Sequence, residues 1–130
     1  MAADNPGLFE TLVRLSGSND PAQEEPEKWR PVLFQTPLRY FVPGSLFPSN
    51  VELWYLKKDL ADLKNDFPLV TSRVIIMHGD KDAMVPPANV EYTKKMLVNA
   101  KMINVVWLSG ANHFIPWMKF DEIKKVLLKL

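Results

Sequence analysis

The sequence contains no cysteine, which excludes disulfides, thiolate metal sites and thiol catalysis. A chain without cysteine suits a reducing compartment, and a cytoplasmic location is expected. Charge of one sign is lacking too. The formal net charge is +1, so no global field draws the chain toward nucleic acid or an anionic membrane. The apolar runs at 74–77 and 105–108 are far too short to span a bilayer, and no membrane span is expected. Residues 1–6 show no basic stretch followed by an apolar one, so they do not read as a signal peptide. Only five glycines are present, and none falls in the Gly-x-Gly-x-x-Gly spacing that a dinucleotide-binding turn needs. Internal repeats are absent, and no cofactor or metal site is expected.

What remains is an ordinary globular composition, 47% hydrophobic and 24% charged over 130 residues. That is enough for one folded unit with a modest core. Thr11–Leu15 reads as a strand entering a polar turn at 16–21, and an acidic loop follows at 24–27. From Trp29 to Pro48, aromatic and apolar residues alternate with prolines, a pattern for short, irregular helical pieces. Ser49 and Glu52 have capping-box spacing, which predicts a helix start at that point. Leu53, Leu56, Leu60 and Leu63 then recur on one helical face, and 65–68 ends the helix.

The clearest rhythm follows. A short apolar strand at 73–78 precedes Gly79, and a proline-started helix at 87–99 carries Val90, Met96 and Leu97 inward. Met102–Leu108 forms another apolar strand. A final helix spans Pro116 or Trp117 to Leu130, with Ile123, Val126, Leu127 and Leu130 at core spacing. Strands without alternation, separated by helices, indicate a parallel sheet covered on both faces. The fold class is therefore α/β. Three stretches are expected within one folded unit: 1–28 with the first strand and acidic loop, 29–68 with the helical pieces, and 69–130 as a βαβα unit.

Chemistry gathers beyond the carboxyl ends of such strands. The loop Gly79-Asp80-Lys81-Asp82-Ala83-Met84-Val85-Pro86 leaves one strand, and Ser109-Gly110-Ala111-Asn112-His113-Phe114 leaves the next. An acid after one strand and a histidine after the next match the rear of a Ser…Asp…His order. These segments resemble the last two strands and helices of the α/β-hydrolase superfamily, over roughly 73–130. The likeness is to members with a hydrophobic cap inserted before the acid-bearing strand, which makes 29–68 cap-like. The resemblance implies that Asp82, in a Gly-x-x-Asp-x-x-Val-Pro pattern, is the catalytic acid. It likewise implies that His113, in Gly-x-x-His, is the catalytic base. A carboxylate on one imidazole nitrogen fixes the tautomer, and the other nitrogen moves the proton of a nucleophile.

The nucleophile itself is missing. No Gly-x-Ser-x-Gly elbow occurs, since Ser16, Ser18, Ser45, Ser49, Ser72 and Ser109 all lack the flanking glycines, and no His-Gly-Gly oxyanion loop is present. A whole hydrolase sheet needs about 200 residues or more, at roughly 30 per strand–helix–strand repeat. Blander roles are also open for these residues. Asp80 reads as a turn former and His78 as a structural histidine. Phe34, Tyr40, Phe41, Phe47, Trp54 and Tyr55 either pack the cap or line an acyl pocket, with packing preferred. Phe114 and Trp117 form a pocket rim or anchor the last helix. The lysines of that helix read as a solvated face. A magnesium phosphotransfer reading of Asp80-x-Asp82 is disfavoured because Met occupies position 84. Three functions stand: part of a hydrolase for a small ester or acyl substrate, one half of a split enzyme, or a non-catalytic binding module. A homodimer or partner chain is expected along the Thr11–Leu15 edge.

Overall fold

The computed structural model describes the backbone of residues 2–24, 28, 30–41, 43–44 and 46–130, and their side chains except at 30, 33, 34, 46, 47, 49 and 50. Glu25, Pro26, Glu27, Trp29, and the Phe34, Phe47 and Ser49 side chains thus lie outside the described residues. In chain order the elements are β1 (Thr11–Leu15), α1 (Arg30–Gln35), α2 (Leu46–Leu63), β2 (Arg73–Gly79), α3 (Ala88–Met96), β3 (Met102–Leu108), α4 (Ile115–Met118) and α5 (Phe120–Leu127). Two compact units result, one of Met1–Asn19 with Lys64–Leu130 and the other of Asp20–Leu63.

The first unit holds a parallel sheet in the order β1-β2-β3. Its central strand is buried along nearly its whole length, which is why 73–78 carries no polar alternation. Because successive side chains of a strand point to opposite faces, β2 feeds two cores. Val74 and Ile76 pack with Val90, Leu97 and Phe67 on one face. Met77 packs with Leu108, Ala111, Ile115 and Ile123 on the other. Helix α3 therefore covers one face, and α4 and α5 the other. The chain forms the open, partial α/β sheet that the sequence predicts.

Expectations about three helices need correction. The last helix is not continuous: α4 and α5 are separated at Lys119, whose backbone leaves the helical region (φ −130°, ψ 34°). Ile115 is fully enclosed and anchors this segment, whereas Leu127 and Leu130 are exposed. A break at 119 turns α5 so that only Ile123 and, in part, Val126 reach the sheet. In the second unit, α2 begins at Leu46 and not at Ser49. Pro48 falls in its first turn, where a backbone donor has no partner to lose, so proline does not delay the start. Along α2, Leu60 is buried while Leu53 and Leu63 are exposed. Helical spacing marks a face that can be buried, but it does not supply the surface that covers it. Helix α3 ends at Met96, short of Asn99, and keeps Val90 and Leu97 inward as expected.

Candidate active site

Both loops singled out by the sequence leave the same end of the sheet, because β2 and β3 are parallel neighbours with Gly79 opposite Leu108. Gly79 is what lets them meet. A Cβ there would run into the Ala111 carbonyl oxygen and lie 2.7 Å from that of Asn112. With no side chain in the way, backbone bonds join the loops: Asp80 N–H donates to Leu108 O at 3.3 Å, and Lys81 N–H to Ala111 O at 3.0 Å. Asp80 is more than a turn former, since its Oδ1 accepts the Gly110 N–H across the gap at 2.7 Å. Gly110 itself sits at φ +72°, a conformation that suits glycine.

Asp82 lies at the centre of this junction, only 3% exposed. Its Oδ1 accepts the Met84 and Val85 N–H groups at 3.0 and 2.8 Å, an Asx-type turn that leaves Oδ2 free for another partner. That partner is His113, whose Nδ1 lies 3.0 Å from Oδ2, an ordinary charge-assisted hydrogen-bond length. Burial pushes the Asp82 carboxyl up, but the Val85 N–H, the His113 hydrogen bond and the nearby imidazoles outweigh it, and its pKa is held below the usual value. An ionised carboxylate can only accept, so Nδ1 carries a proton, and in the neutral ring Nε2 keeps its lone pair. The His113 side chain keeps 30% of its surface in solvent, so that lone pair belongs to a reachable ring.

His78 also belongs here, although its position at a strand end marks it only as structural. Its ring is buried, with Nε2 2.9 Å from Val85 O and 3.7 Å from Asp82 Oδ2. Beside His113 the aromatic rings run outward. Phe114 stands edge-on to His113 at 5.9 Å between centroids, and Trp117 edge-on to Phe114 at 6.0 Å. Trp117 is 79% exposed, so it does not anchor the helix; Ile115 does. Of the other aromatic candidates, Tyr40, Phe41 and Tyr55 are exposed and Trp54 is half-buried, so the first three do not pack a core.

Of the six serines, Ser45 and the Ser49 side chain lie outside the described residues. Ser72 donates to Phe9 O, near the amino end of β2, and Ser109 is exposed. Ser16, just after β1, has a left-handed backbone (φ +41°) and a buried hydroxyl without a partner among the described residues. No serine is hydrogen-bonded to His113 among the described residues. Nor do those residues hold a cluster of three or more metal-ligating side chains, or a helix long and apolar enough to cross a membrane.

No family model matches the sequence, and no curated protein sequence matches it. Solved structures do match in shape. A hydrolase of E-2-(acetamidomethylene)succinate superposes with a TM-score of 0.59 at 17% identity, over 98% of this chain and 59% of that one. An α/β-hydrolase from a sediment metagenome of the Mar Chica lagoon, Morocco, gives 0.61 at 16% identity, over 98% and 52%. A Pyrococcus furiosus esterase gives 0.57 at 13% identity, over 97% and 45%. The fold is that of the carboxy-terminal portion of an α/β-hydrolase. This chain spans about half the length of the structures it resembles.

Proposed function

We propose that this chain is the acid- and base-bearing portion of an α/β-hydrolase acting on a small carboxylic ester or related acyl compound. The observation that carries the reading is the hydrogen bond between buried Asp82 and partly exposed His113 at the adjoining carboxyl ends of β2 and β3. Asp82 orients the imidazole and stabilises the imidazolium. His113 Nε2 takes the proton of a nucleophile and returns it to the leaving group. A serine elbow and an oxyanion hole come from residues beyond these 130, in a preceding segment or a partner chain. In chain order, the Asp20–Leu63 unit falls where capped hydrolases carry their insertion, between one strand and the acid-bearing strand. A cytosolic setting fits a sequence without cysteine.

The test is hydrolysis of a short-chain chromogenic ester. The chain alone should perform near the level of free imidazole, because losing even one oxyanion donor costs about 10²–10³ in rate. A serine-directed phosphonate should label nothing. Adding a separately produced half with a serine elbow should give saturable turnover that His113→Ala abolishes and Asp82→Asn cuts by orders of magnitude. Saturable turnover by the chain alone, with a labelled serine, would refute the missing nucleophile. Ligand binding without turnover in the mixture would favour a non-catalytic binding module.

A further inference from the structure

His78 is the penultimate residue of β2, and its ring is enclosed. A carbonyl only accepts, so the 2.9 Å contact with Val85 O places the proton on His78 Nε2 and fixes the tautomer. Trp107, beside it in register on β3, stands edge-on to the ring with centroids 5.9 Å apart. The ring is thereby held from the strand side, and its one described hydrogen bond reaches into the acid loop.

That bond matters because of what else Val85 does. Its N–H donates to Asp82 Oδ1 while its C=O accepts from His78. Both backbone groups of Val85 are thus engaged, one by the acid and one by the strand that precedes the acid. The turn over 82–85 is tied to β2 at its far end as well as closed on itself. Without His78, the Val85 carbonyl would lose its buried partner, and the turn would be free to reorient. We propose that His78 is a positioning residue for the Asp82–His113 pair. Its Nε2–H holds the Val85 carbonyl so that two amides stay on Asp82 Oδ1 and Oδ2 stays available to His113. The role rests on reading Asp82 and His113 as acid and base, but the contact can be measured without any turnover.

A residue that merely fills space needs no N–H, and this separates the two roles. His78→Phe keeps a ring against Trp107 and removes the donor; His78→Gln keeps a donor. The tautomers of His78 and His113 are read by long-range proton–nitrogen NMR on the full chain, together with amide exchange at Met84 and Val85. The wild type should show His78 as the Nε2–H form and His113 as the Nδ1–H form. In His78→Phe, His113 should populate both tautomers and the two amides should exchange roughly tenfold faster or more, the effect of one lost buried hydrogen bond. His78→Gln should retain the wild-type signature. An Nδ1–H form of wild-type His78 would overturn the proposal, as would an unchanged His113 signature in a folded His78→Phe chain. If His78→Phe does not fold, His78→Gln decides: a mixed His113 tautomer in that folded variant also overturns it. Fixed tautomers with no ester turnover after reconstitution would defeat the hydrolase reading alone.

Discussion

Burial works against a charge on Asp82, and its neighbours outweigh that cost. The Val85 amide and the His113 ring both hydrogen-bond the charged form, so the folded pKa falls below the ordinary one. A carboxyl depressed on folding contributes stability that is present above the unfolded value, about 3.9. That contribution is lost as pH falls through the lower folded value. The window is therefore acidic, below about pH 4. Asp82→Asn keeps an acceptor for the amides but offers His113 hydrogens where it had a charge. The variant is expected to lose about 1.5–3 kcal/mol at neutral pH, the range for hydrogen bonds to charged groups. Its urea midpoint should also fall less steeply than the wild type's between pH 4 and pH 2. Parallel pH profiles for the two chains would show that Asp82 is not held as a charged acceptor.

At the scale of elements, the site is a junction of two loops, and Gly79 is its pivot. Gly79→Ala drives a methyl group against backbone carbonyls of the 111–112 turn, and backbone gives way less readily than a side chain end. Overpacking of this kind costs about 1–3 kcal/mol. The expected result is a lower denaturant midpoint together with a changed His113 resonance, because the loop bearing His113 must move. A lower midpoint with His113 unmoved would mean that the strain is absorbed elsewhere. The junction was only partly legible in the sequence. Strand β2 announced itself as an apolar run because both of its faces are covered; β3 reads the same way, although Met102 and Trp107 stay exposed, and Asp82 and His113 stood out by residue type and by place after those strands. The cross-loop bond from Gly110 to Asp80 was not legible, because it depends on strand register, and the His78–Val85 tie was not, because it depends on how the loop after β2 folds back on the strand. The break at Lys119 was hidden for a related reason: periodicity across 115–127 suits one helix, and only packing against the sheet decides where it bends.

The first unit is an open sheet, and β1 is one of its two edge strands. Among the described residues no strand pairs with the far edge of β1. Backbone groups alternate sides along a strand, and the bonds Arg73 N–H to Glu10 O and Ser16 N–H to Met77 O show which residues face β2. Glu10, Leu12, Arg14 and Ser16 point inward, so Thr11, Val13 and Leu15 present their N–H and C=O groups outward. Such a row is a template for another strand, and the structures of like fold are about twice as long as this chain. Association along this edge, with a second copy or with a nucleophile-bearing half, follows as the expected behaviour. Proline tests it residue by residue, because it removes one donor and leaves the strand direction intact. Val13→Pro should abolish association while keeping the circular dichroism of the fold, at the cost of some packing against the Met77 core. Leu12→Pro, one residue away, should instead break a bond to β2 and unfold the sheet. Sedimentation of the three chains over a concentration series reads both effects. A wild type that stays monomeric at high concentration and also fails to bind a serine-elbow half would show that the edge is not used. Association that survives in Val13→Pro would place the contact on another surface.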